Sequence, residues 1–234
     1  MSGPGPRATR ARDRWRAALP GLLLVVLGLV AFAILLDSVQ EQDDLHAIDE
    51  PVLNWLAANR SAAGTTALYL VTLVSGPVIL PILVGSGVLA WGVTRHRWWR
   101  PLFLLGATCA ASLISLAVKR RVARPRPPVE YQYVPGAETT FSFPSGHTIV
   151  TATLCLVAGY LLWSRHRTKR RLAGWLAGSV VVTAAVGLSR LYLGYHFVTD
   201  VLAAVALAVA VLGVVVAADR LRTLRRRAGP PERP

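Results

Sequence analysis

The 234-residue chain combines 53% hydrophobic residues with 16% charged residues, a balance typical of an integral membrane protein and not of a soluble globular domain. Its formal net charge of +14 comes from short basic clusters separated by long apolar stretches. Such clusters cannot form one continuous face that follows a phosphate backbone, so the composition argues against nucleic-acid binding. Cys109 and Cys155 each lie within an apolar run, and we expect both to pack in the core without forming a disulfide or a thiolate metal site.

Six apolar segments are candidates for membrane spans, since crossing a bilayer core takes roughly 20 mostly apolar residues. They cover residues 19–36, 65–93, 101–118, 149–163, 172–188 and 198–218. The first follows five Arg residues but lacks a convincing small-residue cleavage site, which favours an uncleaved span over a signal peptide. The second contains Gly76, Pro77 and Pro81, and we expect one kinked helix in preference to two short pieces.

These segments predict an all-α, polytopic membrane protein. Residues 19–218 would form a single domain, a six-transmembrane-helix bundle, between basic tails at residues 1–18 and 219–234. The basic residues cluster in alternate connections, with five Lys or Arg in the first tail, three at 95–100, five at 165–171 and six after residue 218. Because positively charged loops stay in the cytoplasm, both termini are predicted to be cytoplasmic. The composition and the uncleaved first span suit a bacterial plasma membrane.

The other connections are then predicted to face outward. One of them, residues 37–50, holds six of the twelve acidic residues and no Lys or Arg. We expect residues 44–59 to include a short helix at the interface, solvated or touching lipid, with no chemistry at His46. Three further outward segments border predicted spans, namely "KRRVARPRP" at 119–127, "FSFPSGHT" at 141–148 and "SRLYLGYHFVTD" at 189–200. Together they predict a pocket at the outer end of the bundle.

The tetrapeptide "PSGH" is typical of a helix start that binds an anion. Ser145 can cap the following helix, and Gly146 permits close backbone approach where amide groups are free. His147 would project from the first turn. The same four residues also suit an ordinary capped helix, so the motif alone leaves both interpretations open.

His196 and Asp200 are four residues apart, so on a helix they would share one face and form a carboxylate–imidazole pair. Such a pair fixes the ring tautomer and leaves the far nitrogen free to attack or to accept a proton. Asp200 is also the only acidic residue in 149–218, and charges within membrane segments are costly enough to suggest a function. A purely structural pair is the alternative. Arg190 supplies a further cation nearby.

In order along the chain, the motifs are K-x6-RP (Lys119, Arg126, Pro127), PSGH (144–147) and SR-x5-H-x3-D (Ser189, Arg190, His196, Asp200). This combination resembles the type-2 phosphatidic acid phosphatase superfamily, which includes lipid phosphate phosphatases and the soluble vanadium haloperoxidases. The resemblance covers about residues 101–218 and, with six spans, favours the membrane branch. Ala123 departs from it, since many members have glycine before the first Arg-Pro.

The resemblance implies a role for each motif residue. His196 would be the nucleophile that forms a phosphohistidine, Asp200 would orient its ring, and His147 would act as general acid and then activate water. The phosphoryl oxygens would be held by the side chains of Lys119, Arg126, Arg190 and Ser145 and by the Gly146 amide. No carboxylate or histidine cluster outside the motifs resembles a divalent site, so we expect no cofactor and activity without Mg²⁺.

The sequence leaves several alternatives open. A lipid phosphate or diphosphate is the expected substrate, with undecaprenyl diphosphate, phosphatidylglycerophosphate and phosphatidic acid as candidates, and the oligomeric state is not predicted. A phosphotransferase that passes the phosphoryl group to another hydroxyl, or a non-catalytic scaffold or transporter, would be the competing functions. Arg120, Arg121 and Arg124 fall outside the signature and would either be solvated or bind headgroups or a second phosphate.

Overall fold

The computed structural model describes residues 6–96, 98–164 and 168–227, and within these ranges the regular structure is entirely helical. The α-helices there are α1 (Pro6–Glu41), α2 (Asp49–Ala58), α3 (Ala62–Val74), α4 (Ile79–Arg95), α5 (Trp99–Val122), α6 (Gly146–Trp163), α7 (Lys169–Tyr192) and α8 (Val198–Arg227). Short 3₁₀ helices occupy Asp44–Ile48 and Val129–Tyr131. The all-α prediction is confirmed. Residues 1–5 and 228–234 of the predicted tails, with Arg97, Arg165 and Arg167, lie outside the described residues.

The described residues offer up to six spans, the number that the sequence predicts. The helices α1, α5, α6, α7 and α8 are each long and apolar enough to cross a membrane, and the sixth span is the bent pair of α3 and α4, taken as one broken span. The two pieces meet at an angle of 50°, so the expected single kinked helix is in fact two helices. The break covers 75–78, where Pro77 offers no amide to the helix, and the Ser75 hydroxyl donates to the Val71 carbonyl at 2.8 Å.

The first and last helices extend beyond the predicted spans and pack closely together. α1 begins at Pro6 and α8 continues to Arg227, so the described parts of both basic tails prolong the membrane helices. Their contact depends on small residues, because a Cβ atom on Gly213 would lie 2.5 Å from the Gly21 carbonyl oxygen. Backbones that approach this closely tolerate only glycine, as in many membrane helix pairs.

The core lies between α5, α6 and α8, and the outer surfaces of the bundle are apolar. Val157 and Leu161 of α6 are fully buried against this core, whereas Leu113 of α5 and Val180 of α7 are two-thirds exposed, as lipid-facing side chains are. Cys109 is exposed on the surface of α5, so the expectation that it packs in the core is wrong, while Cys155 is half-buried.

The loop between α5 and α6, residues 123–145, is fixed to the end of α7 and to the start of α8. The Arg60 side chain donates to the backbone carbonyls of Tyr131 in the loop, at 2.5 Å, and of Tyr192 at the end of α7, at 2.8 Å. Further along, the Ser145 amide donates to the Asp200 carbonyl at 3.1 Å. All three sequence motifs are thereby brought to one end of the bundle, as predicted.

Candidate active site

A cavity of about 420 Å³ lies where the three motifs meet. Its polar lining includes Lys119 of α5, Arg126 and Glu138 of the following loop, Gly146 and His147 at the start of α6, and His196 before α8. The remaining wall is largely apolar, with Leu80, Pro81, Leu116 and Val150. Five of the eight predicted site residues therefore share one cavity. Asp200 lies behind His196, and Arg190 lies behind Glu138.

The contact predicted between His196 and Asp200 is present, but its geometry differs from the prediction. His196 precedes α8, whereas Asp200 lies in the first turn, so the two do not share a helix face. The Asp200 Oδ2 atom lies 3.2 Å from His196 Nδ1 and accepts the Phe197 amide at 2.9 Å and the Ser142 hydroxyl. The carboxylate thus caps the start of α8 and orients the imidazole at the same time.

The far nitrogen of His196 points toward a cation. Arg126 Nη1 lies 3.3 Å from His196 Nε2, and since arginine only donates, Nε2 must be the unprotonated acceptor. Nδ1 then carries the proton and donates it toward Asp200. Burial, followed by the charges of Arg126 and Arg190, lowers the pKa of His196 well below its ordinary value. A neutral ring with a free Nε2 lone pair is the form a nucleophile requires.

Arg124 holds Asp200 from the other side. Its guanidinium donates to Asp200 Oδ1 and to Asp49 Oδ2, both at 2.7 Å, and also to the Thr199 hydroxyl at 2.7 Å. Thr199 in turn donates its amide to Asp49 Oδ1 at 3.0 Å. Arg124 and both carboxylates are buried, so neither solvation nor headgroup binding describes Arg124. Arg120 and Arg121 are exposed, as solvated charges would be.

Asp49 also corrects part of the interpretation of residues 44–59, the segment that includes α2. That segment was expected to be solvated or in contact with lipid, and a short helix does begin there. The Asp49 side chain is nevertheless fully buried, because two partners from distant parts of the chain, Arg124 and Thr199, surround it.

One short segment, residues 138–142, engages all three predicted phosphate-binding cations. The Glu138 carboxylate accepts from Arg126 Nη2 at 3.1 Å through one oxygen and from Arg190 Nη2 through the other. Arg126 Nε donates to the Thr140 carbonyl at 2.6 Å. Lys119 Nζ donates to the carbonyls of Phe141 and Ser142. Burial alone would raise the pKa of Glu138, but Arg190 and Arg126 lower it to about 2, so the carboxylate is ionised.

The start of α6 differs in part from the prediction. Ser145 is the residue before the first helical residue, as expected for a cap, but its hydroxyl makes no capping bond to the backbone. Instead it accepts the Thr148 hydroxyl at 3.0 Å, and the side chain is fully buried. Gly146 lines the cavity as the first helical residue, so its amide is among those without an intrahelical acceptor.

The sequence motifs missed three contributors to this site. Glu138, Asp49 and Thr72, whose hydroxyl accepts from Arg190 Nη1 at 2.8 Å, lie outside every motif. The sequence does indicate a role for Glu138, because it lies in a loop between two arginine-bearing motifs, where an acidic residue is expected to pair with a cation. The contact of Thr72 could not be predicted, because the sequence of an apolar helix does not show which threonine has a polar partner.

A histidine oriented by a carboxylate, facing clustered cations at one end of a membrane-spanning bundle, defines a membrane enzyme that handles an anionic group. The profile of the PAP2 superfamily matches residues 100–223. Phosphatidylglycerophosphatase B of Bacillus subtilis (strain 168) is 30% identical over 195 residues, which cover 78% of this chain and 86% of that protein. Phosphatidylglycerophosphatase B of Escherichia coli (strain K12) is 39% identical over 79 residues, 33% of this chain and 28% of that protein.

Solved structures give the same fold. A transmembrane PAP2-type phosphatidylglycerolphosphate phosphatase from Bacillus subtilis superimposes with a TM-score of 0.70 at 23% identity, covering 88% of this chain and 99% of that one. Aquifex aeolicus LpxE gives a TM-score of 0.50 at 17% identity, covering 75% and 95%. The chain therefore belongs to the PAP2 superfamily, as its motifs indicated. The prediction of a multi-pass membrane enzyme of the lipid phosphate phosphatase class is confirmed.

Proposed function

We propose that this enzyme removes the terminal phosphate from a lipid in the membrane, through a phosphohistidine on His196, and that phosphatidylglycerophosphate is the first substrate to test. The observation that carries the proposal is the orientation of His196, with Nδ1 toward Asp200 and Nε2 toward Arg126 at the cavity. The names of the bacterial relatives support this substrate. Undecaprenyl diphosphate and phosphatidic acid also carry a terminal phosphate and are the other candidates.

The proposed reaction has two steps. In the first, the Nε2 lone pair of His196 attacks phosphorus, the bond from phosphorus to the lipid oxygen breaks, and His147 gives a proton to that oxygen. In the second, His147 takes a proton from water, which attacks the phosphohistidine and releases inorganic phosphate with the imidazole as leaving group. Asp200 stabilises the positive charge that the His196 ring acquires in the first step.

The cations supply the stabilisation of the transition state. Lys119 and Arg126 at the cavity wall, with Arg190 behind it, would bind the phosphoryl oxygens, and the Gly146 amide adds a neutral donor at a helix start. The Ser145 hydroxyl, which accepts from Thr148 beside the Gly146 amide, is proposed as a further neutral donor to the phosphoryl oxygens. Because fixed cations provide the charge, we propose that activity does not require Mg²⁺.

The apolar wall of the cavity suits a lipid. Leu80 and Pro81 of α4 and Leu116 of α5 line the cavity beside the polar residues, so a phosphate at His196 would have its lipid chain directed along apolar helix surfaces. The break between α3 and α4 brings Gly76 and Pro77 to the same wall. Apolar contacts of this kind favour any hydrophobic lipid chain without selecting a particular one, which is consistent with several lipids sharing one site.

The test is phosphate release in proteoliposomes that contain phosphatidylglycerophosphate, undecaprenyl diphosphate or phosphatidic acid. The full-length enzyme is expected to release phosphate, and His196→Ala to reduce the rate by at least roughly a thousandfold, since the nucleophile is lost. Orthovanadate, which imitates five-coordinate phosphorus, should inhibit, and exhaustive chelation should not. Phosphate release that survives in His196→Ala would contradict the mechanism. Loss on chelation that Mg²⁺ restores would contradict metal independence.

A further inference from the structure

We propose that the Glu138 carboxylate occupies the place of the substrate phosphoryl group in the ligand-free enzyme, and that binding requires a phosphate of higher charge to displace it. The carboxylate would thereby exclude phosphodiester headgroups, which carry one negative charge, in favour of terminal phosphates and diphosphates. This inference rests on the function proposed above and concerns how the same site selects its substrate.

The contacts of Glu138 are those expected of a phosphoryl group. Its two carboxylate oxygens bind two different arginines, Arg126 from the α5–α6 loop and Arg190 from α7. Two oxygens on two arginine donors is an arrangement that phosphate and carboxylate share. About a quarter of the Glu138 side chain is exposed, and it lines the cavity that holds His147 and His196.

Unused donors in the site indicate that a larger ligand belongs there. Within the described residues, the Arg190 Nε atom and the Ser115 hydroxyl are buried and have no hydrogen-bond partner. Ser115 lies one turn before Lys119 and lines the same cavity. Buried polar atoms are normally satisfied, so two such donors, one on an arginine that binds Glu138 and one lining the cavity, suit a ligand with more acceptor oxygens than a carboxylate has.

Charge determines which ligand can displace the carboxylate. Lys119, Arg126 and Arg190 carry three positive charges, of which Glu138 balances one. A phosphomonoester carries about −1.5 to −2 at neutral pH, so replacing the carboxylate with it increases the attraction. A phosphodiester carries −1, and the exchange brings no such increase. In a bilayer built of phosphodiester lipids, this difference prevents the cations from being occupied by ordinary headgroups.

The competing explanation is that Glu138 braces the two arginines permanently and stays in place when substrate binds. The two explanations predict opposite effects of Glu138→Gln, which retains the shape of the side chain and removes its charge. If Glu138 is displaced, removing its charge removes a competitor and strengthens phosphate binding. If Glu138 is a brace, removing its charge disorders the arginines and weakens phosphate binding.

The first experiment measures the Kd for inorganic phosphate by calorimetry on the purified full-length enzyme. Glu138→Gln is expected to bind phosphate about tenfold more tightly than the wild type, because charge-assisted contacts to two arginines no longer compete. Glu130→Gln makes the same charge change at an exposed position of the same loop and should bind as the wild type does. Weaker or unchanged binding in Glu138→Gln would overturn the proposal. Should that variant fail to fold, Glu138→Ala carries the same expectation.

The second experiment measures selectivity. Hydrolysis of a lipid phosphate in detergent micelles is followed while phosphatidylglycerol, a phosphodiester, is added at increasing mole fraction. As phosphatidylglycerol is added, the apparent KM of Glu138→Gln is expected to rise severalfold through competition, while the kcat of that variant stays constant. The apparent KM of the wild type and of Glu130→Gln should not change. Equal sensitivity of all three proteins would overturn the proposal.

The two proposals fail in distinguishable ways. The proposed function would be refuted if the wild-type enzyme released phosphate from none of the lipids, or if it released phosphate and His196→Ala did so equally well. A wild-type enzyme that hydrolyses lipid phosphate and depends on His196, but binds phosphate no less tightly than Glu138→Gln, would refute only the role of Glu138.

Discussion

At the scale of single residues, Ala123 adopts a backbone conformation that glycine prefers. It ends α5 with φ of 50°, in the left-handed region, and its amide donates to the Lys119 carbonyl at 2.9 Å. A side chain with a Cβ atom adopts this conformation at a cost of roughly 1 kcal/mol, which is why glycine commonly follows a helix end. The resemblance to the superfamily led us to expect glycine at this position, and the left-handed end of α5 gives that expectation a physical reason.

Ala123→Gly is therefore expected to stabilise the protein by about 1 kcal/mol, because the strain at φ of 50° disappears. The measurement is the thermal midpoint in detergent, with loss of lipid phosphatase activity as a second probe. Ala117→Gly is the matched control, since Ala117 lies exposed within the same helix, where glycine should lower stability. A decrease in both variants would show that the conformation at residue 123 carries no strain.

At the scale of elements, the start of α8 is held by contacts from two other parts of the chain, the α5–α6 loop and α2. The Asp200 carboxylate in its first turn accepts hydrogen bonds from Ser142 and Arg124 of the loop, and Arg124 also pairs with Asp49 of α2. This arrangement keeps the Asp200 carboxylate oriented toward His196. Asp49 is thus a positioning residue, connected to the proposed nucleophile through two intermediates.

Asp49→Asn is expected to lower kcat by about tenfold with little change in KM, because Asp200 would be less well oriented while the phosphate-binding cations are unaffected. It should also destabilise the protein by about 3 kcal/mol, as breaking a buried ion pair does. Kinetics in micelles and thermal unfolding measure both effects. Glu50→Gln, the adjacent exposed residue, should match the wild type. A loss of stability with unchanged kcat would make Asp49 purely structural.

The sequence predicted the elements better than it predicted their polar partners. Span positions follow from the length of apolar runs, and the contact between His196 and Asp200 follows from their spacing, although His196 precedes the helix. The partners of Arg124 could not be predicted, since Asp49 is far away in the chain and only the folded loop brings the two together. For Glu138 the sequence indicates a cation in the same loop, Arg126, but not the second arginine, because Arg190 comes from α7.

At the scale of the whole molecule, the fold explains why positive charge gathers at the end opposite the predicted cytoplasmic clusters. Most of the cations predicted to lie outside are used within the protein. Arg60 holds two backbone carbonyls, Arg124 pairs with two aspartates, and Arg126 and Arg190 share Glu138. Charges bound in this way are structural or belong to the site, so they do not argue against the orientation deduced from the other clusters.

We propose on this basis that the active site faces outward and both termini face the cytoplasm. The α5–α6 loop and the α6–α7 connection lie at opposite ends of α6, so a single crossing separates Glu130 in the loop from Thr168 before α7. Single cysteines at these positions, in a protein with Cys109 and Cys155 replaced by alanine, report the side of each. A membrane-impermeant maleimide should label Glu130→Cys in intact cells and Thr168→Cys only after permeabilisation. The opposite pattern would place the phosphatase site in the cytoplasm, where its lipid phosphate would have to come from the inner leaflet.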